Sequence, residues 1–328
     1  MVLGLAGTAA GLAVALIPGG SPSLPGTTLQ LQFTPWSLAF SPDGRFLAVG
    51  GGSPGGAFGE AELLNPATGR VAAAWQAPEG TAVKTVAFSP DGGTLATAGD
   101  DNRVSLWSVA QLVAGVRRPV AVYKAGGTVR AATFRPGGAV LATGDDGGTT
   151  LRSLADGKAA ARLEALPYLS VFALAFSPDG SVLAADDLGI PTRSVTQLWD
   201  VRSVKPRLSR DIPARQTHSV GFSPDGAVLA TADEDGTGLW DVATGRLLAR
   251  LAGASPPVSV VKFSPDGKTL AAGGADGVTT VWDVATRRIA ATLTGQARAV
   301  ESVAFSPGGA VLATASYDDT VRLWRTRR

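Results

Sequence analysis

Phe40-Ser41-Pro42-Asp43-Gly44 is the stretch that decides the fold, because its phenylalanine and turn return six times, at Phe88, Phe134, Phe176, Phe222, Phe263 and Phe305. The copies stand 41–48 residues apart in a chain of 328. Proline at the second position of a four-residue turn presets φ, and glycine at its end relieves the backbone. Working outward from the sixth copy, Val258–Phe263 is a β-branched run that reads as a strand, and Lys268–Gly273 reads as a second. Ala275-Asp276-Gly277 turns the chain into a third strand, Val278–Val284, and Arg288–Leu293 makes the fourth. Connections of two to five residues between such strands make antiparallel hairpins.

A strand-rich unit repeated at this period is the pattern of a β-propeller with one four-stranded blade per copy. The expected fold is all-β, a seven-bladed propeller of antiparallel blades. Length alone suggests two domains, but copies closing around one axis make one, assigned to residues 28–328. The last copy holds only three strands before the chain ends, so its outer strand must come from elsewhere. Thr28–Phe33, ahead of the first phenylalanine, has the length and apolar content to supply it.

The residues that close the third strands carry a resemblance. Trp199-Asp200, Trp240-Asp241 and Trp282-Asp283 are complete Trp-Asp pairs, while the other copies show Leu64-Asn65, Trp107-Ser108, Arg152-Ser153 and Trp324-Arg325. Together with the Phe-Ser-Pro-Asp-Gly turn, these make the chain similar to seven-bladed WD-repeat proteins. The resemblance implies ring closure by an N-terminal strand and a scaffold role in protein–protein interaction. The Ala/Gly-rich repeats resemble bacterial members, some of them joined to membrane signalling kinases. One departure stands out: the histidine that WD repeats often place before the inner strand is missing throughout, with Gln296 the nearest substitute, so Asp101, Asp235, Asp276 and Asp318 are expected to cap their own turns.

Composition narrows the partners. Twenty-nine basic and 27 acidic side chains are interspersed for a net charge of +2, which provides no field for nucleic acid. Cysteine is absent, which removes disulfides and thiolate chemistry. Residues 1–27 differ from the rest: Val2–Ile17 is an apolar run followed by a Pro/Gly/Ser stretch, and no ionisable side chain precedes Asp43. Sixteen residues fall short of the roughly 20 that span a bilayer, and no basic region precedes them. A signal or membrane-anchor remnant, a misassigned start and an ordered part of the fold stay open. The first, with a tether through residues 2–17 and a membrane-tethered or extracytoplasmic location, is the expectation.

Fragments that imitate catalytic motifs fail on context. Gly267-Lys268-Thr269 ends like a phosphate-binding loop, yet Lys262 stands where that loop needs its first glycine and strands flank both sides. The glycine run at Gly50–Gly52 has no helix behind it. Asp-rich hairpin turns such as Asp100-Asp101-Asn102 read as turn chemistry, so no metal and no cofactor is expected. His218 is the single histidine and has no companion motif, which argues against an enzyme.

Aligning the copies on their phenylalanines exposes one position that refuses to repeat. The residues one, two, three and five before it are mostly small, aliphatic or β-branched, as packing demands, with Lys262 standing among the first of these. Four before it stand Trp36, Lys84, Arg130, Phe172, His218, Ser259 and Glu301. Seven unlike residues at equivalent sites of a near-symmetric ring point to a partner-binding rim, and Trp, Phe and Arg are enriched where binding energy concentrates. The span from phenylalanine to the Trp-Asp position is 24 residues in the first copy and 23 in the fourth, against 18 or 19 elsewhere, with the excess around Gly51–Gly59 and Leu188–Val195. Both enlarged loops belong to the same end of the propeller as the rim. The expected function is a monomeric, non-catalytic scaffold in a bacterial signalling assembly; the alternative is a receptor that takes a small ligand or carbohydrate in the central channel.

Overall fold

A computed structural model describes residues 16–18, 26–53, 58–77, 81–163, 170–188, 195–203, 207–214 and 216–326. Seven antiparallel sheets follow one another, each running from an inner strand to an outer one. Blade 1, for example, comprises Thr34–Phe40, Leu47–Gly52, Gly59–Leu64 and Val71–Gln76. Blade 6 comprises Val258–Phe263, Thr269–Gly274, Thr279–Asp283 and Arg288–Leu293, within a residue of the boundaries read from its turns. The inner strands touch their neighbours all the way round, from blade 7 back to blade 1. The protein is a seven-bladed β-propeller.

Ring closure comes from the N-terminus, with one correction to its register. Gly26–Gln30, rather than Thr28–Phe33, pairs with Thr320–Arg325, setting Leu29 opposite Val321 and Thr27 opposite Leu323. The apolar residues after it serve a different purpose. Leu31 and Phe33 are buried where the chain crosses from the outer edge of blade 7 to the inner strand of blade 1. Beyond the closing strand, the backbone of Leu16–Pro18 adds a fifth strand paired with Thr27–Leu29. Most of the apolar head and of the stretch behind it, residues 1–15 and 19–25, lies outside the described residues. No helix among the described residues is long and apolar enough to cross a membrane.

Burial follows from stacking sheets face to face around an axis. Among the described residues seven apolar clusters form, one at each seam between consecutive blades. Second strands are buried on both faces, as at Leu47–Gly52 and Val228–Asp233. The third-strand tryptophans carry a polar handle that must be met in the core. Trp107, Trp240 and Trp324 donate Nε1–H to Thr97, Thr231 and Thr314 at 2.9, 2.9 and 3.0 Å. Blade 1 replaces both partners with apolar residues, Leu64 and Val49, both in the seam cluster shared with blade 7.

The repeated turn holds itself together. Ser41, Ser89, Ser177, Ser223 and Ser264 each donate Oγ–H to the aspartate two residues on, at 2.5–2.6 Å. Each aspartate also accepts the backbone N–H two residues further along. These bonds favour the carboxylate and depress its pKa, in Asp179 to about 2. Blade 2 carries a short helix, Val109–Val113, between its third and outer strands; Arg117 ties it down by donating to Leu112 O at 2.5 Å and Ala74 O at 2.8 Å.

The aspartates between second and third strands behave largely as expected without histidine. Asp101, Asp276 and Asp318 accept the N–H of Arg103, Val278 and Thr320. In blade 5, Asp233 takes that role in place of Asp235. Gln296 is buried and donates to Thr314 O at 3.3 Å and to Thr320 Oγ1 at 3.5 Å, while Thr320 donates to Asp318. The amide thereby reaches the turn that a histidine would otherwise serve.

Candidate functional site

The seven unlike residues share one structural cause. In five blades the inner strand slips register against its neighbour across that position: at Trp36, Lys84, Phe172, Ser259 and Glu301. In the other two, Arg130 N–H bonds Gly144 O while Ala131 also faces Gly144, and His218 N–H bonds Ala232 O while Ser219 faces Ala232. Each is therefore the extra residue of a β-bulge, set against one residue on the partner strand. A bulge releases its residue from the alternation of the ladder and re-aims the side chain. None of the seven is buried, whereas Pro35, Val83, Val129, Val171, Thr217, Val258 and Val300, one residue earlier, all are.

Small residues on the second strands make room for the bulges. A Cβ at Gly99 would stand 1.7 Å from Ala82 O, so no side chain fits there. Gly51, Gly144 and Gly273 occupy similar tight places, and this run of glycines at the ends of second strands was the sequence signal for the bulges. Next to three of the bulges, Ser37, Ser219 and Ser302 solve another problem. Inner strands face the channel with unpaired N–H groups, and these hydroxyls accept from Val86, Val261 and Leu38 of the next blade at 3.1, 3.3 and 3.0 Å.

Around the rim, from blade 7 through blade 6, run Glu301, Trp36, Lys84, Arg130, Phe172, His218 and Ser259. Lys84 Nζ lies 3.7 Å from the centroid of the Trp36 ring and 3.5 Å from Asp100. Arg130 stacks 4.8 Å from the Phe172 ring and pairs with Asp146, which also accepts from Ser170 at 2.8 Å. Partial desolvation raises the Glu301 carboxyl to about 7, against the pull of Lys84. Desolvation by neighbouring protein lowers the His218 pKa, opposed by Glu234 and Asp233. Trp36 is half-buried, and its Nε1–H has no acceptor among the described residues. Such a buried orphan donor costs about 1–3 kcal/mol, which packing alone would not favour.

The loops assigned to this end are the connections Gly52–Gly59 and Leu188–Val195. Strand pairing puts their ends beside the bulges, with Gly52 opposite Thr34 and Leu188 opposite Ser170. Their middles, residues 54–57 and 189–194, lie outside the described residues.

The opposite mouth holds a residue whose column reads as packing. The position before each phenylalanine is small in most blades, but in blade 6 it is Lys262. It lines a cavity of about 230 Å³ with Thr133, Ala175, Gly221 and phenylalanines of the repeated turn. Its side chain is exposed toward that cavity, and desolvation by the surrounding protein lowers its pKa.

Family comparison agrees with this geometry. The family described as WD domain, G-beta repeat matches residues 27–53, 71–108, 215–240, 245–283 and 287–325, more than half of the chain. The chain belongs to the WD40 family. The matches skip blades 3 and 4, whose strands nevertheless form complete four-stranded sheets. Comparison with curated proteins found no matching relative. WD40 propellers are commonly scaffolds for protein interaction.

Proposed function

We propose that this propeller is a non-catalytic interaction scaffold whose partner docks on the bulge rim. The observation that carries the reading is the bulge itself: all seven inner strands spend a paired position to present a side chain, and the seven presented are unlike. Rigid strands hold them, so docking orders little of the scaffold itself. Lys84 and Arg130, flanked by Trp36 and Phe172, suit a partner segment with an acidic residue between apolar ones.

The test compares capture by the full chain with capture by an Arg130→Ala/Phe172→Ala variant. Phe172 is exposed, and the Arg130–Asp146 pair is a surface pair worth at most about 1 kcal/mol. The variant should therefore melt within a few degrees of the parent while losing roughly 30-fold or more in partner affinity, the mark of a hot spot. Equal capture by both would move the docking site off this rim.

Glu301 adds a pH signature. Its carboxyl is protonated below about 7 and ionised above, so the rim gains a negative charge as pH rises through neutrality. An acidic partner segment is expected to bind more tightly at pH 6 than at pH 8, and Glu301→Gln should abolish that difference in titrations at fixed salt.

The apolar head supports a finer part of the proposal, a tether through residues 2–17 to a membrane-bound signalling assembly. Fractionating cells that express chains with and without residues 1–15 tests it. The competing reading, a small ligand at the channel, is favoured by Lys262 in its cavity. It requires ligand-induced stabilisation that Lys262→Ala removes and Arg130→Ala does not.

A further inference from the structure

Blade 3 breaks the packing rule of its neighbours at Arg152. This residue occupies the third-strand position held by Trp107, Trp240 and Trp324, and Thr143 stands where their threonine acceptors stand. No indole fills the seam here. In its place is a cleft of about 180 Å³ between blades 2 and 3, lined by Lys124, Arg152, Arg162, Thr143, Thr150 and Asp145.

The charge in this cleft is unbalanced. Asp145 already accepts Gly126 N–H at 2.9 Å and Gly147 N–H at 2.7 Å. Among the described residues, no carboxylate lies in ion-pair range of Lys124, Arg152 or Arg162. Blade 5 shows what the same positions do otherwise. Arg250, the counterpart of Arg162, pairs with both oxygens of Asp233, the counterpart of Asp145, at 2.7 and 2.8 Å. In blade 3 the corresponding arginine donates to Gly147 O at 2.7 Å instead. Arg152 is held in place by Gly157 O at 2.8 Å and by the Tyr123 ring at 4.6 Å, contacts that orient the guanidinium and leave its charge unneutralised.

We infer that this cleft is a binding site for a phosphate group carried by a small molecule. Two guanidinium groups and an ammonium match a tetrahedral oxyanion, and two threonine hydroxyls can add donors. A volume well below the ~300–1,000 Å³ of drug-sized sites limits what is attached to the phosphate. The lining comes mainly from third and outer strands rather than from the inner strands that carry the bulge rim, and only Asp145 adjoins the rim, through its neighbour Asp146.

The experiment titrates the full chain with sodium phosphate against sodium chloride at equal ionic strength, by calorimetry and by melting temperature. Arg152→Trp restores the residue used in other blades, with Thr143 as its acceptor, and Arg162→Gln removes one exposed charge without touching the core. The parent should give a saturable isotherm, and each variant should weaken it by ~10-fold or more while melting normally in chloride. No saturable binding by the parent, or equal binding by all three, overturns the inference. Glycerol 3-phosphate and vesicles containing phosphatidic acid separate the sources. Competition by the former alone supports a small phosphomonoester, whereas vesicle retention lost in Arg162→Gln overturns the small-molecule assignment in favour of a lipid headgroup.

Discussion

A chain lacking residues 1–30 is expected to lose roughly 5 kcal/mol or more of stability, from hydrogen bonds at about 1 kcal/mol each and the burial of one leucine at about 2. Gly26–Gln30 pairs along its whole length with Thr320–Arg325, and Leu29 within it is fully buried. Deletion uncovers the edge of Val321, Leu323 and Trp324, an apolar strand with unpaired backbone groups that invites association with another chain. At about 2 °C per kcal/mol or more, the melting temperature should fall by ~10 °C or the protein should aggregate. Leu29→Ala tests the same seam with the strand backbone in place, at an expected 2–5 kcal/mol. A truncated chain that melts with the parent would disprove closure through this strand.

The second large effect is a rise in stability on removing a charge. Glu62 lies on the third strand of blade 1, between Val49 and Ala74, and is buried with Oε2 lacking a partner among the described residues. Burial raises its carboxyl to about 7, and the charge of Glu60 adds to the rise. A folded-state pKa above the unfolded value means that stability is fully present below the unfolded pKa and is lost as pH rises through about 7. Glu62→Gln should therefore be more stable than the parent at pH 8, by up to about 3 kcal/mol at 1.36 kcal/mol per pKa unit, and close to it at pH 4.5. Denaturant unfolding across that range measures the difference. A parent whose stability is flat from pH 5 to 8 would show that Glu62 is ionised without penalty.

The depressed aspartates of the repeated turns act in the opposite direction. Asp43, Asp91, Asp179, Asp225 and Asp266 help the fold above the unfolded carboxylate pKa, and their contribution is lost as pH falls through their lowered folded values. Acid and alkaline limbs of the stability curve thus belong to different places, the turns on one side and the blade interior on the other.

Some of this was open to reading and some was not. Repeat period, turn chemistry and strand alternation are local, so blade number and the strand boundaries of blade 6 follow from the residues themselves. The missing outer strand was also legible, because three strands at the end of the chain leave one vacancy in a closed ring. Its register was not. Leu31 and Phe33 look like strand residues, and only the path from blade 7 to blade 1 shows that they cover a seam.

The rim was legible as variability and illegible as geometry. A bulge is defined by two strands, and the unlike residues at Trp36, Lys84 and Glu301 do not say which partner residue they oppose. Glu62 shows a related limit: a carboxylate in a third strand says nothing by itself of its burial, and stacked blades bury both faces of Gly59–Leu64. Lys262 and Arg152 were visible as exceptions within their columns, but a column does not reveal a cavity. The sequence by itself determined the seven-bladed propeller, since periodicity and turns act within about 45 residues. Which charges face water, the channel or a dry seam was decided only when the ring closed, because burial depends on neighbours that are distant along the chain.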